Sequence, residues 1–123
     1  MTAPNRMLPA EDLLRIEAFE EATTSLLTLT ESLEREELAR ARLTRNEVRR
    51  FLLDATSAIE ALSREAQDAL PELDRTAWQR TRQRLDAGDA VESEAGWFAI
   101  QALTPTTLGW LRFYRRQQPG LFA

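Results

Sequence analysis

A chain of 123 residues, 43% apolar and 29% charged, has material for one core and is too apolar for a disordered segment. It contains no cysteine, histidine or lysine, which excludes disulfides, thiolate metal sites, a Schiff-base amine and a P-loop lysine. The commonest general base near neutral pH is missing with them, and the net charge of −4 argues against wholesale wrapping of nucleic acid.

In chain order, "MTAPNRMLPA" lacks the apolar stretch of a secretory signal, and residues 1–9 are expected to form a loose N-terminal segment of a single domain, 1–123. No apolar run approaches the roughly 20 residues that span a bilayer, so a cytoplasmic, non-membrane protein is expected. The first periodic segment runs from Glu11 to Ser32, with Leu13, Ile16, Phe19, Leu26, Leu29 and Leu33 on one helical face. Its threonines favour a strand locally, but length and the flanking glutamates favour helix. Thr44 with Glu47 three residues on reads as a capping box that opens a second helix. Val48, Leu52, Ala55, Ile59 and Leu62 carry that helix towards Pro71, where it must stop. Asp74 is the expected N-cap of a third helix and Gly88 its terminator. A fourth helix fits "SEAGWFAIQAL", with Trp97, Ile100 and Leu103 inward, and Thr104–Pro105 reads as the start of a fifth. The predicted architecture is all-α, an antiparallel bundle of four to five helices joined by short loops.

Charge is distributed unevenly along this bundle. Residues 11–37 hold nine acids against Arg15 and Arg35, whereas 75–86 hold four arginines against Asp86. On a helical wheel Trp78, Thr81 and Leu85 form the buried stripe of the third helix, and Arg80 and Arg84 fall on the opposite, wet side. Arg82 and Arg75, seven apart, share a border position, which makes Arg82 the arginine expected to be partly desolvated and held. A guanidinium so placed either covers apolar surface or faces phosphate in a cleft.

From about Leu33, the ordered segments "LEREELARARLTRNEVRRFL", "ALPEL", "RTRQRL", a tryptophan and "LTPTTL" resemble the HepT-like branch of the HEPN group of helical-bundle proteins. The resemblance implies a homodimer, a place in a toxin–antitoxin pair as an RNase, or partnership with a small nucleotidyltransferase. It implies that Arg82 stands at the family's arginine and Gln83 at the neighbouring asparagine, as candidate phosphate or nucleic-acid contacts. It places Ala87 where the family has its histidine and Asp89 where it has a tyrosine modified by the nucleotidyltransferase. Metal-independent RNA cleavage needs one group to accept the 2′-hydroxyl proton and another to protonate the leaving oxygen, and alanine can do neither. The expectation is therefore a catalytically degenerate relative that binds a partner protein or RNA, with no catalytic residue and no cofactor.

Two other readings stand beside it. Glu34 and Glu37, with Glu65 and Asp68, repeat the Glu-x-x-Glu and Glu-x-x-Asp spacing of all-α nucleoside triphosphate pyrophosphohydrolases, which would make magnesium the cofactor. The third reading is a plain dimeric interaction module without ligand. Trp78, Trp97 and Trp110 are expected as core or contact residues; "RFYRR" reads either as Tyr114 stacking on a base with Arg112, Arg115 and Arg116 nearby or, more simply, as cations at a helix C-terminus favoured by the macrodipole.

Overall fold

A computed structural model describes residues 6–123, and every regular element among them is helical. The long elements are α1 (Ala10–Thr30), α3 (Arg42–Glu60), α5 (Arg75–Asp86) and a C-terminal rod. The short helices α2 (Arg35–Arg40) and α4 (Arg64–Ala69) flank α3. The rod comprises α6 (Glu94–Phe98), a π-turn (Ala99–Leu103) and α7 (Thr104–Gln117). The fold is an all-α bundle.

Polar ties between helix ends show that the long elements run antiparallel. Asp12, at the start of α1, accepts from Ser63 N at 2.8 Å and from Ser63 Oγ at 2.6 Å, just beyond the end of α3. Arg75 Nη2 reaches the Glu60 carbonyl at 3.0 Å, while Arg49 Nη2 reaches the Leu85 carbonyl at 2.9 Å. α5 is therefore laid head to tail along α3, and at both places a cation meets the negative end of a helix. Arg115 pairs with Glu20 at 2.7 Å and ties the rod to α1.

The core draws on every long helix. Ile16, Phe19 and Leu26 of α1 meet Val48, Leu52 and Ile59 of α3, Trp78 and Leu85 of α5, and Ile100 and Leu111 of the rod. Trp78 is fully buried; Phe19 meets it edge-on at 5.2 Å, and its Nε1 donates to Thr107 Oγ1 at 3.1 Å. Gly96 is required where it stands, because a Cβ there would lie 2.1 Å from the Val91 carbonyl oxygen. This close approach folds the 87–93 loop onto the start of the rod.

Thr44 is not an N-cap: α3 already begins at Arg42, after one non-helical residue, Ala41. Leu38 of α2 is completely buried, which sets α2 against α3 and draws the start of α3 upstream. The capping box lies instead at Glu34 and Glu37, where Glu34 N donates to Glu37 Oε1 at 2.9 Å. The expected second helix is cut after Glu60, because Ser63 caps α4 and is gripped by Asp12.

Thr104–Pro105 does not open a separate helix either. Leu103 and Thr104 both have helical backbone angles, and the Thr104 N–H reaches back five residues to the Ala99 carbonyl. A proline inside a helix lacks a donor and crowds the carbonyl four residues back; the wider π-turn relieves that crowding without a break. Burial of Ile100 and Leu103 on one side and Leu108 and Leu111 on the other keeps the rod continuous. Of the N-terminal segment expected to be loose, residues 1–5 lie outside the described residues. Leu8, by contrast, is buried, and its N–H donates to the Leu121 carbonyl at 2.9 Å.

Candidate functional site

α5 is built as its sequence suggests. Asp74 adopts a left-handed backbone (φ 58°), and its carboxylate accepts from Ala77 N at 3.2 Å. At the other end Gly88 (φ 103°) lets its own N–H reach Leu85 O and the Asp89 N–H reach Arg84 O, at 3.1 and 3.0 Å. These two bonds form a Schellman closure. Trp78, Thr81 and Leu85 face the core, as the wheel places them.

Arg82 lies at the border of that face with its side chain 39% exposed. Its Nη1 donates to Ser57 Oγ at 3.2 Å and to Glu60 Oε2 at 3.3 Å, and its Nε stands 3.6 Å from Asp86 Oδ2. The guanidinium is thus held in place, but by two carboxylates whose charge opposes an incoming phosphate. Gln83 beside it is exposed, and so is Ala87, one turn on. Two proton-transfer groups are needed for metal-free RNA cleavage, and Ala87 provides neither.

The alternative magnesium set does not assemble. Among the described residues no three or more carboxylates form a group that could hold a metal ion. Glu34 and Glu37 serve the capping box of α2, and Asp68 stands 3.6 Å from Arg64 on its own helix. Spacing three apart satisfied a helix face, but one pair lies at the start of α2 and the other on α4.

Tyr114 is also redirected. It is buried, its hydroxyl accepts from Glu72 N at 3.5 Å, and no face is left open for a base. The aromatic surface of α7 belongs to its neighbours: Phe113 is exposed and meets the half-buried Trp110 edge-on at 5.5 Å. Arg112 and Arg116 are exposed beside them and form no ion pair among the described residues.

The wet side of α5 is not featureless. Arg80 and Arg84 line a groove of about 530 Å³ between α5 and the start of the rod, together with Ala77, Ala95 and Phe98. Phe98 is 55% exposed there. The wheel placed both arginines correctly in solvent, but no single-helix argument could show that Phe98, fourteen positions beyond Arg84, forms the facing wall. A second groove of about 520 Å³ lies between α1 and α3, with Arg15, Glu21, Arg50 and Asp54 on its rim. Arg50 is held above its usual range by the hydrogen bond and then the charge of Glu47, which marks a surface ion pair.

No family model, curated protein or solved structure matches this chain. No helix among the described residues is long and apolar enough to cross a membrane.

Proposed function

We propose that this protein is a HepT-like bundle that works by holding a protein partner rather than by making or breaking bonds. The observation that carries the partner reading is the surface of α7, where the exposed Phe113 meets the half-buried Trp110 edge-on and the exposed Arg112 and Arg116 lie on the same helix. Aromatics and arginines are residue types enriched in protein interfaces and in their energetic centres. The guanidinia of Arg112 and Arg116, which form no ion pair among the described residues, favour an acidic partner surface. Against catalysis stand the pairing of Arg82 with Glu60 and Asp86 and the alanine at position 87. Protein is favoured over RNA because the chain is net acidic and Tyr114, the one tyrosine weighed as a stacking platform, is buried. The HepT-like assignment rests on the ordered motifs quoted above and on the helical fold.

Two measurements test this. Purified protein incubated with labelled single-stranded RNA should leave it intact with and without magnesium. Robust metal-free cleavage that Arg82→Ala abolishes would overturn the non-catalytic reading. Affinity capture from the source cell should retain one protein, identified by mass spectrometry and re-bound after purification, which Trp110→Ala with Phe113→Ser releases. A nucleotidyltransferase in that role would support the HepT-like assignment, whereas capture that nuclease treatment abolishes would point to RNA instead.

A further inference from the structure

We infer that the groove between α5 and the start of the rod binds a small amphipathic anion, an alkyl or aryl carboxylate or its sulfonate equivalent. Its volume of about 530 Å³ lies within the roughly 300–1,000 Å³ typical of small-molecule sites. The wall is apolar, formed by Ala77, Ala95 and the half-exposed ring of Phe98. The two alanines leave room that larger side chains would fill.

The charges have a definite layout. Asp89 engages Arg84 through Nε alone, at 2.9 Å, and the Schellman bond from Asp89 N to Arg84 O fixes that pair. The terminal nitrogens of Arg84 remain available as donors. Arg80, one turn earlier on the same face, forms no ion pair among the described residues. The acids of the groove are Asp89, neutralised by Arg84, and the exposed Glu94. α5 and the rod run antiparallel, with Trp78 bonded to Thr107, so Glu94 lies towards the Arg84–Asp89 end of the groove. The unbalanced positive charge therefore lies at Arg80, away from Glu94. An anionic head on Arg80 and an apolar body against Phe98 satisfy both features together. A guanidinium fork suits a carboxylate or sulfonate because it offers parallel donors. No lining residue is shared with the Trp110–Phe113 surface, so this site stands or falls apart from the partner reading.

The probe is 1-anilinonaphthalene-8-sulfonate, whose fluorescence rises in an apolar site. Expected is saturable binding at one site per chain, weakened about tenfold by Arg80→Ala and by Phe98→Ser in variants that keep wild-type helical circular dichroism. Octanoate should displace the probe and octylamine should not. Phe113→Ser and Arg116→Ala, outside the groove, should leave binding unchanged. Absence of saturable binding, indifference to both groove variants, loss on Phe113→Ser, or equal displacement by octylamine would each overturn the inference. Failure of partner capture with this pattern intact would count against the partner reading alone.

Discussion

Asp12 shows how one side chain can tie distant parts of a chain together. It is 1% exposed, yet it is an acid in the first turn of a helix, where its charge opposes the positive end of the macrodipole favourably. Both carboxylate oxygens are occupied, one by the Ser63 amide and one by the Ser63 hydroxyl. The Ser63 hydroxyl in turn accepts from Ala66 N and starts α4. Asp12→Ala strands a shielded amide and loosens a cap, so it should cost about 1–3 kcal/mol in urea denaturation. A change within about 0.5 kcal/mol, the range of ordinary surface substitutions, would refute this account. The sequence shows Asp12 only as one of many acids on an acidic segment. Its partner is 51 positions away, and no local pattern points to it.

Among the elements, three arginines act as helix terminators supplied from a neighbour. Arg75 closes α3 at Glu60, Arg49 closes α5 at Leu85, and Arg45 closes α2 at Leu38 and Ala39. The last carbonyls of a helix need donors, and a long guanidinium stem can supply them across a packed interface. Arg49→Met keeps the stem but removes the donor, and should lower stability by about 1–2 kcal/mol. Arg82→Met should cost less, about 0–1 kcal/mol, because its pairs are partly exposed and screened by salt. A reversed order in thermal or chemical melts would show that Arg82 is the more important structural tie. The helix wheel located the border position of Arg82 and the buried stripe of α5 correctly. It could not show what the guanidinium touches, since Ser57 and Glu60 belong to another helix.

For the whole molecule, the two ends of the described chain meet. Leu8 and Leu121 are both buried, and a backbone bond joins them, so the start of α1 and the segment after the rod share one boundary of the core. Leu121→Ala should therefore cost about 2–3 kcal/mol and raise amide exchange at Leu8 as well as at the C-terminus. Exchange that increases only at the C-terminus would mean that the ends open independently. The all-helical class, the buried stripes of α3 and α5, and the Asp74 and Gly88 boundaries of α5 were legible in the sequence, because these depend on residues within one turn or one face. In α1 Ile16, Phe19 and Leu26 are buried as expected, but Leu13 and Leu29 are only half-buried, and Asp12, Thr23 and Thr30 join the buried stripe. The sequence also ruled out histidine, cysteine and lysine chemistry outright. Packing between helices set the end of α3 before Ser63 and the passage of the rod through Pro105 unbroken. The same is true of the pairing of Arg82 with carboxylates and of Phe98 facing Arg80 across a groove. Each of these depends on burial or charge shared between helices far apart in sequence, where packing outweighs a local start or stop signal.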